Sequence, residues 1–218
     1  AARRVGAALG EAGVPVDGEV RAERTRPAST GPGSVLAELP SPPLDDLLDR
    51  LLTNSHNWYA DIFALTLGRE VAGTGRFDDG VEVIADFGLG LRGDLAAGPD
   101  DLAIRDGSGL SAANLVTPAA VVRVLSYAAR QPWGERLIEA LARPGRGTLR
   151  AWPRLPSVAA KTGTLRHTVA LAGFLDPGSE TPVVFCYFVN HHRGTAAARR
   201  AIAAALRSWR AGEPADGR

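Results

Sequence analysis

The hydrophobic pattern of this chain changes period near residue 156, and a chain with that change must build a helical layer first and an antiparallel sheet afterwards. Before it, apolar residues recur at helical spacing. LDDLLDRLLTN sets Leu44, Leu47, Leu48, Leu51 and Leu52 on one stripe, WYADIFALTLGREV follows closely, and residues 78–88 read as helix again. In TPAAVVRVLSYAARQ, Thr117 is placed to cap a further helix and Pro118 occupies its first position. After the change, VAAKTGTL, TVALAGFLD and PVVFCYFVNH are short apolar or β-branched runs separated by turns, which predicts a three-strand antiparallel meander. GTAAARRAIAAALRSWRAG then predicts a closing helix with Ala201, Ile202, Ala205, Leu206 and Trp209 as its buried stripe.

The other segments are less patterned. Residues 1–13 read as a short helix with Val5, Ala8 and Leu9 turned inward, and VDGEVRAER as a short extended piece. Residues 25–43 are rich in Pro, Gly and Ser and read as a surface loop, and GPDDLAIRDGSGLSAANLVT is dominated by turn residues. No internal repeat is visible.

With 218 residues, 45% of them hydrophobic, the chain is long enough for one substantial core. A formal net charge of +1 gives no electrostatic reason to expect a nucleic-acid partner, and the arginines of the closing helix read as a solvated face. No apolar run approaches the roughly 18 to 20 residues of a membrane span, and AARRVGAALGEAGV lacks the apolar region of a signal peptide. Cys186 is the single cysteine, so no internal disulfide forms; its apolar run predicts a buried structural thiol. The chain contains no methionine and begins Ala1-Ala2, from which we expect residues upstream of it.

Three short stretches carry side chains suited to chemistry. Lys161-Thr162-Gly163-Thr164 offers a cation, two hydroxyls and a bare backbone on an expected edge strand, where alternation sends Lys161 and Gly163 to one face and the threonines to the other. Taken alone, it is also an ordinary hairpin composition. Ser55-His56-Asn57 lies between two helices, where Ser and Asn commonly cap. Asp106-Gly107-Ser108-Gly109 favours tight turns and reads as a compact structural loop.

In this order, the three stretches resemble the D-alanyl-D-alanine carboxypeptidases of the penicillin-binding protein 4 type, serine peptidases (family S13) that also cut peptidoglycan cross-links. The matching residues are Ser55-His56-Asn57 with Tyr59-Ala60, Asp106 to Ser111 with Asn114, and Ala160-Lys161-Thr162-Gly163-Thr164-Leu165; LAGF at 171–174 and SPPL at 41–44 also fit. The DGSGLS loop separates this family from the β-lactamases. His56 stands where Asp or Asn is commoner in the family, and Ala112-Ala113 follows DGSGLS where an arginine is expected.

The resemblance implies an α/β fold, part of a penicillin-binding (serine β-lactamase-like) transpeptidase fold. In it a mainly helical region, 1–150, carries the Ser-x-Asn triplet, and 151–218 carries the meander and closing helix, all within one catalytic domain. The wider signature also includes Ser-x-x-Lys, whose serine is the nucleophile. No serine here has a lysine three positions on, because Lys161 is the only lysine. Ser157 precedes it by four residues, roughly 13 Å along a strand and out of reach for proton transfer. The expectation is therefore a C-terminal portion of a longer enzyme, inactive without the missing N-terminal segment.

The resemblance further implies Ser55, Asn57 and Lys161 as catalytic residues, with Thr162, Gly163 and Thr164 binding substrate and Thr164 N–H serving the oxyanion. Lys161 would favour the substrate carboxylate, which Thr162 and Thr164 would also bind. The implied partners are peptidoglycan D-Ala-D-Ala peptides and β-lactams, with no cofactor or metal, in an extracytoplasmic location. The competing expectation is a non-catalytic scaffold that binds peptidoglycan peptides. GLGLRG at 88–93 matches a dinucleotide fingerprint, but a helix rather than a strand precedes it, and His191-His192 read as surface residues at a strand end.

Overall fold

The computed structural model describes residues 2–21, 38–91 and 98–212. Its backbone divides into a small unit, residues 1–41, and a large one, residues 42–218. In the small unit, helix α1 (Ala2–Glu11) forms as expected, but none of its residues is buried and Val5 and Leu9 are exposed. The expected inward face fails because α1 is the unit's sole described element and has no second apolar layer within the unit. Residues 14–21 form no strand; the end of VDGEVRAER and most of the Pro-, Gly- and Ser-rich stretch lie outside the described residues.

The large unit begins with three helices, α2 (Leu44–Asn54), α3 (Asn57–Glu70) and α4 (Phe77–Gly90), at the positions their periodicity predicts. A two-stranded ribbon, β1 (Leu102–Ala103) with β2 (Leu115–Val116), brackets the DGSGLS loop. Helix α5 (Pro118–Ala129) starts with Thr117 Oγ1 accepting the Ala120 N–H at 3.1 Å, the expected cap. Helix α6 (Gly134–Ala140) and the 3-10 turn Gly147–Ala151 were not legible in the sequence; seven residues are too few for a clear helical period. Only the start of GLGLRG is described, and it lies in and just beyond the last turn of α4.

The predicted meander is present as β3 (Val158–Leu165), β4 (Thr168–Leu175) and β5 (Val183–Asn190), in that order across the sheet, all antiparallel. Alternation gives the sheet two distinct faces. Val158 and Ala160 join Val169, Leu171, Leu175 and Phe185 in one cluster with Ala198, Ile202 and Leu206 of the closing helix α7 (Thr195–Arg210). Ala159 and Phe174 point to the other face, where they meet Leu141 and the half-buried Leu52, Leu125 and Leu137 of the helical layer.

The buried stripe of α7 differs from the expected one: Ala198, Ile202, Ala203 and Leu206 are buried, Ala201 is exposed, and Trp209 is half exposed. Residues 198, 202 and 206 advance by one turn each, whereas Ala201 lies about 100° around the helix from Ile202. Cys186 is half-buried rather than fully buried, on the strand-β5 face opposite α7, and burial pushes its thiol up to about 11. No helix among the described residues is long and apolar enough to cross a membrane.

Candidate active site

The loop between α2 and α3 is only two residues long. Ser55 ends α2 in the left-handed region (φ 59°, ψ 57°), and His56 is extended before Asn57 opens α3. For a residue with a Cβ, that conformation costs about 1 kcal/mol or more, so the surroundings must hold it. Ser55 is the C-cap residue of α2 and His56 the N-cap residue of α3, but His56 makes no side-chain cap bond and the Ser55 hydroxyl is directed elsewhere.

That hydroxyl meets Lys161. Lys161 Nζ donates to Ser55 Oγ at 2.6 Å and to its neighbour's carbonyl, Thr162 O, at 2.9 Å. Burial lowers the Lys161 pKa from 10.5 to about 8. An ammonium so displaced can give up its proton near neutral pH, after which the same short contact lets Ser55 donate to a neutral amine.

One short segment holds the two partners in register. Thr53, buried two residues before the loop, donates its hydroxyl to Ala140 O at 2.7 Å. Gly147 presses against Thr53 with φ 59°, and a Cβ there would stand 2.3 Å from Thr53 O. Two residues beyond Ala140, Ala142 O accepts the Ala160 N–H at 2.9 Å, next to Lys161 on β3. Residues 140–142 thus fasten the end of α2 to the outer edge of β3.

Thr162 and Thr164 lie on the α7 side of β3, away from Lys161, while Gly163 shares the Lys161 side. Arg199 of α7 reaches Thr164, its Nη2 donating to Oγ1 at 3.5 Å. The two faces of the tetrapeptide therefore meet different neighbours, Ser55 on the Lys161 side and Arg199 on the Thr164 side.

The DGSGLS loop docks on α3. Asp106 accepts the N–H groups of Gly109 and Ser111 and the Asn114 amide, each at 2.7 Å, while Asn114 Oδ1 accepts the Arg105 N–H. Burial alone would raise the Asp106 pKa, but these hydrogen bonds, with one from Ser108, outweigh it and hold the carboxyl below its usual range. Ser108 N–H donates to Asp61 Oδ1 at 2.9 Å, four residues along α3 from Asn57. Gly107 lies so close to that helix that a Cβ would stand 2.4 Å from Ala60 O. Beside Ser55, His56 stacks on Tyr59 at 4.1 Å, and Trp58 is exposed.

The structure thus brings Ser55, Lys161 and the start of α3 together and puts Asp106 to Gly109 one turn farther along α3. Thr53, Asp61, Arg199 and residues 140–142 were missed in the sequence. Among the described residues, no three His, Cys, Asp or Glu side chains group as metal ligands. A recess of about 590 Å3 at the end of α7, lined by Arg154, Leu155, Ser157, Arg207 and Arg210, lies apart from this constellation. Its Arg210 pairs with Asp176 and its Arg207 donates to Arg154 O.

Comparison with known proteins places the chain in a family and a fold. The model of the D-Ala-D-Ala carboxypeptidase 3 (S13) family matches residues 1–212. A D-alanyl-D-alanine carboxypeptidase of Actinomadura sp. (strain R39) is 34% identical over 222 residues, covering 96% of this chain and 40% of that protein. The D-alanyl-D-alanine carboxypeptidase DacB of Haemophilus influenzae is 34% identical over 166 residues, covering 72% of this chain and 34% of DacB. Penicillin-binding protein 4 (dacB) from Haemophilus influenzae, solved in complex with a β-lactam, superimposes with a TM-score of 0.74 at 28% identity, covering 88% of this chain and 44% of that one. The chain therefore spans less than half the length of these relatives, and its helices and antiparallel sheet belong to the penicillin-binding fold, as the resemblance implied.

Proposed function

Because this chain belongs to the D-Ala-D-Ala carboxypeptidase 3 (S13) family, we propose that its large unit forms one half of a serine-peptidase site that hydrolyses the terminal D-Ala-D-Ala bond of peptidoglycan stem peptides. The observation that carries the reading is the 2.6 Å contact between Lys161 Nζ and Ser55 Oγ, from residues 106 apart in sequence. The contact places a hydroxyl within proton-transfer reach of an amine whose pKa burial has lowered to about 8, which is what a proton relay requires.

The nucleophile is the serine of a Ser-x-x-Lys motif that these 218 residues do not contain. Its Oγ attacks the carbonyl carbon of the D-Ala-D-Ala bond and gives its proton to its own lysine. As the C–N bond breaks, Ser55 delivers a proton to the departing amine of D-alanine and is reprotonated through Lys161, whose lowered pKa of about 8 suits that exchange. Water then attacks the acyl ester and releases the shortened peptide. Asn57 orients the acyl group, and the N–H of Thr164 supplies one oxyanion donor, typically about 3 to 4 kcal/mol of transition-state stabilisation. The threonine hydroxyls of 162 and 164 bind the terminal carboxylate. β-Lactams would acylate the same serine, as the β-lactam complex of the H. influenzae relative suggests, and the work is extracytoplasmic because peptidoglycan is.

The same logic makes the 218 residues inactive on their own, since the nucleophile and its N–H donor are absent from them. The test is labelling with a fluorescent penicillin together with D-alanine release. The full-length natural protein carrying these residues should label and turn over, its Ser55→Ala variant should acylate about a hundredfold more slowly, and the 218 residues alone should do neither. The absence of Ser-x-x-Lys also favours a second reading, a non-catalytic peptide-binding protein. A full-length protein that binds stem peptide without labelling would establish that reading and overturn the first.

A further inference from the structure

The carboxypeptidase reading needs a cation for the substrate's terminal carboxylate, and we propose that Arg199 of α7 supplies it rather than Lys161. The inference rests on that reading and reassigns one of its parts. Strand alternation decides which cation is available. Thr162 and Thr164 continue the Val158 and Ala160 side of β3, the side packed on α7, whereas Lys161 projects from the opposite side and spends its donors on Ser55 Oγ and Thr162 O. A carboxylate bound by the two threonine hydroxyls lies on the α7 side, and the guanidinium there belongs to Arg199.

The Arg199 guanidinium keeps donors that the described residues leave uncommitted. Its contact with Thr164 Oγ1, at 3.5 Å, is long and uses one of five N–H donors. Its Nε is buried with no acceptor, and among the described residues no carboxylate pairs with it, while Arg123, Arg136 and Arg210 each have one. The guanidinium lies 5.3 Å from the ring centre of Trp152, itself almost wholly buried, so its position is fixed before any ligand arrives. A planar cation held in advance beside hydroxyls is matched to a planar, two-oxygen anion, which it can engage with paired hydrogen bonds. The ligand class is therefore a peptide with a free C-terminal carboxylate, and a C-terminal amide is discriminated against.

The test compares acetyl-D-Ala-D-Ala with its C-terminal amide by isothermal titration of the full-length natural protein carrying these residues. Wild-type protein should prefer the carboxylate by about tenfold or more, the scale of one hydrogen bond between charged groups. Arg199→Gln should bring the ratio of the two affinities close to one, and Arg199→Lys, which keeps the charge without the fork, should retain part of the preference. Circular dichroism of both variants guards against loss of fold. A preference that survives Arg199→Gln, or that disappears in Lys161→Met instead, overturns the assignment to Arg199. A wild-type protein that shows no preference at all overturns the carboxypeptidase reading and this inference with it.

Discussion

The two faces of the β3–β4–β5 sheet are built to different standards. Against α7 the sheet is dry: Val158, Val169, Leu171, Ile202 and Leu206 are at most 2% exposed and pack with Leu149 and Trp152 in a continuous cluster. Toward the helical layer, full burial is confined to Ala159, Phe174 and Leu141, ringed by half-buried Leu52, Leu125, Leu137 and Ile138. Lys161 and Ser55 meet on this thinner face. A lysine in the α7 cluster would be fully desolvated and simply lose its proton. On the thin face it is desolvated enough to bring its pKa to about 8 and wet enough to keep a choice of protonation state. The dry cluster under α7 supplies the stability, and the thinner face holds the Ser55–Lys161 pair.

The largest effect expected from this contrast is on stability. Leu206→Ala, at a site with no exposure, should cost about 3 to 4 kcal/mol, because α7 and the sheet cannot close over the cavity. Leu137→Ala on the thin face, where the side chain is already part solvated, should cost about 1 kcal/mol. Urea unfolding of both variants reads the difference; equal losses would mean that the two faces do not differ in the way described.

What could be read from the sequence follows the same division. The strands, the helices from α2 to α5 and the Thr117 cap are local, and each is written in a run of some ten residues. The seven-residue α6 is too short to carry a period, and the face of α7 turned on a rotation between Ala201 and Ala198 that only the sheet beneath it determines. Ser55, Asn57 and Lys161 became candidates through their order along the chain and the resemblance it carries, since nothing local links residues 106 apart. Thr53 carried no signal because its partner is a backbone carbonyl, which every residue has. Arg199 was hidden among the arginines of a helix that read as a solvated face.

A smaller effect tests how wet the thin face is. The folded pKa of Lys161, about 8, lies below its ordinary value of 10.5. Between these values the unfolded chain holds more protons than the folded one, so the stability of the wild type rises with pH through the window. Below pH 8 the folded protein carries the full cost of a buried charge. Lys161→Met has no group to titrate there and is free of that cost. Its stability relative to wild type should therefore fall by on the order of 2 kcal/mol from pH 8 to pH 10.5, allowing for partial solvent access. Other groups that titrate in this range, such as Tyr187, are common to both proteins and drop out of the difference. A constant difference across the window would mean that Lys161 is not desolvated.

The smallest effect tests what holds the thin face in shape. Thr53→Val keeps the volume of the side chain but deprives Ala140 O of its hydroxyl donor, at a cost of about 1 kcal/mol. If residues 140–142 fix the distance between α2 and β3, loosening one anchor lets the left-handed Ser55 turn relax and water reach the ammonium. The pKa of Lys161 should then move up from about 8 toward 10.5, against the direction in which burial holds it. Because Lys161 is the only lysine in these 218 residues, reductive methylation with labelled formaldehyde gives a single side-chain signal whose shift can be followed with pH by NMR. Lower stability with an unmoved titration would show that Thr53 holds α6 to α2 and nothing more. A raised pKa at a stability cost this small would show that the geometry of the relay is set by one hydroxyl on a backbone carbonyl, two residues before the serine it positions.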